Sequence, residues 1–238
     1  MDIFKIINSI NQDCNFVDSI NEFSLIETIN TTKTIKNNKM KSLVYCIFSQ
    51  YDQIFQTLPN NEKKLYFKNK ITEICSLIDE KGDEYYNKFS LNEKNLKTKV
   101  IQYSLQFSLE NENLLSSLLY LNELYKKHFI IIYNDNYYET SLKNYSKDYI
   151  LFKDDVYSFT EFRDNLKVDK LQNLPIKNDL NKFNLIDFYD KKLKPISNYK
   201  LNELQDIAIE SNLSIKKNSK NKTKQDLYDE INIYHLNL

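Results

Sequence analysis

A chain of 238 residues with a single glycine, Gly82, is barred from much of the α/β repertoire. P-loops and dinucleotide-binding turns need several glycines in a fixed pattern, so that backbone N–H groups can approach a phosphate closely. Neither cradle can be built here, which excludes Walker-type NTPases and ordinary dinucleotide folds. The same bias runs through the rest of the composition. There is one alanine (Ala208), one arginine (Arg163) and no tryptophan, against 18 Tyr and 14 Phe. Asn, Lys, Ile, Tyr and Phe have A/T-rich codons, so the composition points to a very AT-rich genome. Abundant lysine and tyrosine are partly a property of that genome. Lysine in place of arginine also leaves few bidentate clamps for phosphate or carboxylate.

Lys+Arg and Asp+Glu both number 33, so the formal net charge is zero. The chain is no polycation, and any nucleic-acid contact has to come from a local patch. The hydrophobic fraction of 41% is enough for a real core. Cys14, Cys46 and Cys75 form no CxxC pair, which argues against a disulfide framework or a zinc site. Cys46 and Cys75 fall on apolar helix faces and read as small buried hydrophobes. The start, Met1 to Lys5, lacks a signal-peptide pattern. The longest apolar run, Phe129 to Tyr133, is far too short to span a bilayer. The expectation is an intracellular protein without membrane contact, in cytoplasm or nucleus, with the virion as a further location if the source is viral.

Four segments follow from patterning. Residues 1–39 are an N-terminal segment with a short amphipathic helix over Ile3 to Ile10. Residues 40–162 are a helical body with β-hairpins. Leu43, Val44, Ile47, Phe48, Tyr51, Ile54, Phe55 and Leu58 recur at three- and four-residue steps and predict one helix over 40–58. A second is predicted from Glu62 to about Glu80, with Gly82 where a C-terminal cap would fall. Two more are predicted over Lys97–Phe107 and Asn111–Lys127. Phe129 to Tyr133, the turn residues Asn134-Asp135-Asn136, and Tyr137 to Thr140 read as a hairpin; Tyr149 to Phe152 and Val156 to Thr160 read as another. Residues 163–198, with Pro175 and Pro195, are a connector that Phe183, Leu185, Ile186 and Phe188 dock on the body. Residues 199–238 are a separate module. The fold class is therefore α+β, mainly α: a helical bundle with a small antiparallel hairpin sheet, then a small helical module.

Chemistry is hard to place on these elements. His128 and His235 have no Ser or Cys in a nucleophile context, and GxSxG is absent. Asp154-Asp155, Asp79-Glu80 and the pair Asp135 and Glu139 read as solvated turn or helix-face charge, not as metal ligands. No cofactor is implied, and the expectation is a protein that is not an enzyme. Tyr137, Tyr138, Tyr145, Tyr149 and Tyr157 beside Lys143 and Lys147 could stack bases, but strand propensity explains them more simply.

The C-terminal module carries the functional expectation. Leu201, Leu204, Ile207 and Ala208 line one face of a short helix, and the one alanine suits close approach of a second helix. Leu213 and Ile215 punctuate an extended link. Thr223-x-x-Asp226 signals a helix start, and Leu227 and Ile231 form the facing stripe. This helix–extension–helix pattern, Leu201-x-x-Leu204-x-x-Ile207-Ala208, Leu213 and Lys222-x-Lys224-x-x-Leu227-x-x-x-Ile231, resembles the SAP-like and Rho-terminator N-terminal-like modules. Such modules commonly bind DNA or RNA through the basic start of the second helix. The resemblance implies phosphate contacts from Lys220, Lys222 and Lys224, with Lys216 and Lys217 nearby. The link here is longer, Asn-rich and without the glycine common in SAP motifs. Residues 214–225 hold five lysines and no acid. The composition as a whole resembles proteins of large AT-rich DNA viruses. The expected role is a nucleic-acid-binding accessory protein whose body meets a protein partner. The alternative is a structural or assembly protein, such as a minor virion component, whose module binds protein.

Overall fold

The computed structural model describes residues 41–169, 175–177, 179–180 and 184–238. The helix expected over Ile3 to Ile10, Cys14 and Phe183 lie outside the described residues. Those described belong to one compact unit, Lys36–Leu238, and are mainly helical with a small amount of sheet. No helix among them is long and apolar enough to cross a membrane.

The helix expected over 40–58 is two. Helix α1 (Leu43–Tyr51) and helix α2 (Gln53–Thr57) are separated by Asp52, whose backbone is extended. The Asp52 carboxylate accepts from Phe55 N at 2.8 Å and from the Tyr66 hydroxyl at 3.0 Å. Those bonds reward a cap over a continued helix. The break turns Ile54 out of the stripe, leaving it 59% exposed, while Phe55 is buried.

Helix α3 (Asn60–Phe89) breaks at Lys81 (φ −128, ψ 26), next to the end expected near Glu80, but a second helical stretch follows with no loop between and runs to Ser90 in the left-handed region. Gly82 is therefore not a cap. A Cβ there would lie 2.9 Å from Thr98 Cγ2, so the glycine lets helix α4 (Thr98–Phe107) start against α3. Left-handed turns fall to other residues. Ten described non-glycine residues have positive φ, five of them Asn and two Asp, the side chains that tolerate this region best.

Helix α5 (Leu115–Tyr125) is the central element: Leu115 through Glu123 are all buried. It leads into a five-stranded sheet of β1 (Lys127–Tyr133), β2 (Asn136–Tyr138), β3 (Ser146–Lys153), β4 (Val156–Thr160) and β5 (Lys167–Asp169), in the order β4-β3-β1-β2-β5. Both expected hairpins are present, and Asp154 and Asp155 form the second turn. The sheet, however, is mixed: β1 pairs with β3, and β2 with β5, in parallel. A buried polar knot explains the first parallel junction. The Asn122 amide donates to Thr140 O at 2.9 Å, Asn122 Oδ1 accepts from Phe129 N, and Thr140 N donates to His128 Nε2 at 3.1 Å. The knot returns the chain after β2 to the start of β1, so β3 runs beside it in the same direction. Phe129 and Phe159 on one sheet face meet Tyr51 of α1 edge-on.

Helix α6 (Leu201–Glu210) and helix α7 (Lys224–Leu236) close the chain. Leu204, Ala208, Leu227, Tyr228 and Ile231 form a small core of their own, with Leu193, Ile196 and Tyr199 packed against it. Ala208 is fully buried there. Two asparagines fasten this pair of helices. Asn232 accepts from Lys192 N and Leu193 N, and Asn237 accepts from Asn144 N and donates to Leu142 O.

Candidate nucleic-acid interface

The link between α6 and α7 is where structure and expectation part. Asn212, at φ 56, ends α6, and Leu213 N reaches back to Ala208 O at 2.8 Å. The chain then folds on itself instead of running extended. Strand β6 (Lys216–Lys217) pairs antiparallel with strand β7 (Lys220–Asn221), Lys216 opposite Asn221 and Lys217 opposite Lys220. Asn218 and Ser219 make the two-residue turn, both with positive φ, as a type I′ hairpin requires. The Ser214 hydroxyl braces the base of the hairpin, bonding both N and O of Lys216, and Lys222 N extends the ladder to Ile215 O. Thr223 then caps α7, with the reciprocal Thr223–Asp226 capping box in place.

The five lysines fare differently. Lys216, Lys217 and Lys220 are exposed on the hairpin. The facing pair Lys217 and Lys220 emerges on one face, and like charges set directly opposite repel. Lys222 turns inward. Its side chain is 8% exposed, pairs with Glu230 and donates to Ser214 O. Lys224, the first residue of α7, is half-buried. Hydrogen bonds from Thr223 hold the Asp226 carboxyl below the usual carboxylate range, and the charges of Lys217 and Lys222 add to the effect. The start of α7 thus already carries its own carboxylate, which leaves Lys216, Lys217 and Lys220 as the outward-facing charge.

Glu230 is a residue that sequence reasoning missed. It lies eight positions from Lys222, and only the fold of the link brings the two together. A second missed group is the buried cluster around Glu123, which accepts from the hydroxyls of Tyr145 and Tyr189 and pairs with Lys143 at 3.1 Å. Burial, and then the Glu123 charge, push both phenols well above their ordinary range. These groups satisfy one another and tie α5 to the 141–145 segment and to Tyr189. The tyrosines considered for base stacking offer little platform: Tyr138 and Tyr157 are buried, and the rings of Tyr137 and Tyr149 pack on Phe162. Among the described residues, no group of three His, Cys, Asp or Glu is placed to hold a metal ion.

An open cleft of about 960 Å³ lies beside the module, lined by Asp83, Tyr86, Glu93, Asp190, Ile196 and Tyr228 among others. Lys94 and Lys191 stand among its carboxylates, so the cleft is of mixed charge and differs in character from the basic hairpin.

The chain matches no family model, no curated protein and no solved structure. The hairpin lysines therefore stand on their own geometry.

Proposed function

We propose that this protein is a non-enzymatic nucleic-acid-binding accessory protein that contacts the phosphate backbone of DNA or RNA through the hairpin Lys216–Asn221. The observation that carries this reading is the presentation of Lys216, Lys217 and Lys220 on an exposed two-strand ladder, with Lys217 opposite Lys220. A phosphate between the facing ammonium groups replaces their repulsion with attraction, so a polyanion binds where the free protein is electrostatically strained. Lys224 adds a further contact. Lys222 holds the hairpin base in position and stays off the nucleic acid. The resemblance of the module to SAP-like and Rho-terminator N-terminal-like units supports the same reading.

Lysine is a point charge on a flexible stem, so the contacts position the ligand without reading base edges. Binding is then insensitive to sequence and falls steeply with salt. Three contacts give a slope of about −2.7 in log K against log salt on duplex DNA, and a fourth takes it to about −3.6. A salt titration checks this, with Lys216→Glu/Lys217→Glu/Lys220→Glu as the comparison. The triple variant loses binding and keeps the wild-type melting temperature, because none of the three lysines is in the core. Lys222→Met behaves in the opposite way: it lowers the melting temperature of the module and leaves the slope within about one unit of the wild type. Failure of the wild type to bind at low salt overturns this reading. It would favour the alternative, a structural or assembly protein whose C-terminal module binds a protein partner.

A further inference from the structure

Four hydroxyls belong to the link and its ends: Ser211, half-buried and preceded by Glu210 with no lysine nearby before it, then Ser214, Ser219 and Thr223, of which two are already engaged. The Ser214 hydroxyl bonds Lys216 N and O, and the Thr223 hydroxyl bonds both the carboxylate and the N–H of Asp226. Ser219 differs from both. It is exposed at the hairpin tip, and its hydroxyl has no hydrogen-bond partner among the described residues. Lys217 stands two positions before it, Lys216 three before, and Lys220 directly after. Serine kinases that select substrates by charge recognise basic residues placed this way. Strands of two residues each are marginally stable on their own, so the tip can open into the extended form that a kinase cleft accepts.

We infer that Ser219 is a phosphorylation site and that its modification switches off the polyanion contact of the hairpin. The inference rests on the proposed phosphate-binding role of Lys216, Lys217 and Lys220. In the step, Ser219 Oγ attacks the γ-phosphorus of ATP in line and the bond from that phosphorus to the β,γ-bridging oxygen breaks. ADP leaves with the electron pair, and the hydroxyl proton passes to the catalytic carboxylate of the kinase. The product carries a charge of about −1.5 to −2 at neutral pH. Placed between Lys217 and Lys220, it supplies from within the chain the anion that these lysines would otherwise take from nucleic acid. It offsets about two of the three hairpin charges.

The full chain is incubated with Mg-ATP and a serine kinase selective for basic residues before the acceptor, and phosphate incorporation is mapped by mass spectrometry. One phosphate at Ser219 is expected, lost in Ser219→Ala and retained in Ser214→Ala and Thr223→Ala. Absence of incorporation, or incorporation at Ser214 or Thr223 instead, overturns the assignment. The phosphorylated chain is then titrated with labelled duplex DNA beside the unmodified chain. It binds about tenfold or more weakly at physiological salt, and its salt slope is shallower by about two units. Unmodified Ser219→Ala binds like the wild type. Equal binding by both forms overturns the switch while leaving the hairpin reading intact. No binding by the unmodified chain overturns the hairpin reading itself, and the switch with it.

Discussion

His128 shows how much a single side chain holds here. It is 4% exposed, and its Nε2 accepts the Thr140 N–H, so the neutral ring carries its proton on Nδ1. Burial pushes its pKa down to about 4, against an ordinary value near 6.5. Between those two values the unfolded chain binds a proton that the folded chain refuses. The stabilisation is thus complete above about pH 6.5 and is lost as pH falls toward 4. A difference of this size is worth about 3 kcal/mol. Denaturant titrations at pH 7 and pH 4.5 should differ by an amount of this order, and His128→Gln should flatten the dependence in that window. A wild-type stability unchanged between the two pH values would show that the ring is not locked in its neutral form. Lys222 makes the same point about residue-level context. Nothing in the sequence separates it from Lys220 or Lys224, yet Glu230 and Ser214 take its ammonium out of the candidate interface.

At the scale of elements, Gly82 is the sharper case. An alanine in a helix interior is intrinsically better than glycine by about 1 kcal/mol. Here the added Cβ would meet Thr98 Cγ2 at 2.9 Å, and a β-branched side chain at a helix start has little freedom to move away. The clash should win. Gly82→Ala is expected to destabilise by about 1 kcal/mol, and Gly82→Ala/Thr98→Ser to exceed the wild type, both read from urea midpoints. A single variant already more stable than the wild type would mean that α3 and α4 part easily. Periodicity made the helices legible, because the stripes that must be buried are written at three- and four-residue steps. The first of their breaks was not legible. Asp52 breaks the first helix through the hydroxyl of Tyr66, fourteen residues away, and the kink at Lys81 precedes a glycine whose use is tertiary. The hairpins were legible from turn residues and alternation. The parallel junction between β1 and β3 was not, because Asn122 of α5, His128 of β1 and Thr140 of the loop after β2 set it together.

For the whole molecule, zero net charge conceals an uneven surface. Lysines crowd the hairpin, carboxylates and lysines mix along the cleft near the start of α7, and neither arrangement is visible in a sum. Composition locates the basic stretch 214–225 but not its conformation, which is a hairpin where an extended link is expected. Asn218 and Ser219 carry the hairpin without the glycine that usually announces such a turn. That substitution of residues for glycine recurs across the fold and has a cost in conformational energy. Ser90 ends α3 at φ 54 with its N–H bonded to Tyr86 O, a position where glycine escapes the steric penalty that a side chain incurs. Ser90→Gly keeps every backbone bond and should raise stability by about 0.5–1 kcal/mol, seen as a higher denaturant midpoint with an unchanged slope. A lower midpoint would show that the serine side chain makes a compensating contact. If the gain appears, nucleotide bias in the coding sequence is measurable as a thermodynamic load on the protein, spread over left-handed turns that a less biased genome would hand to glycine.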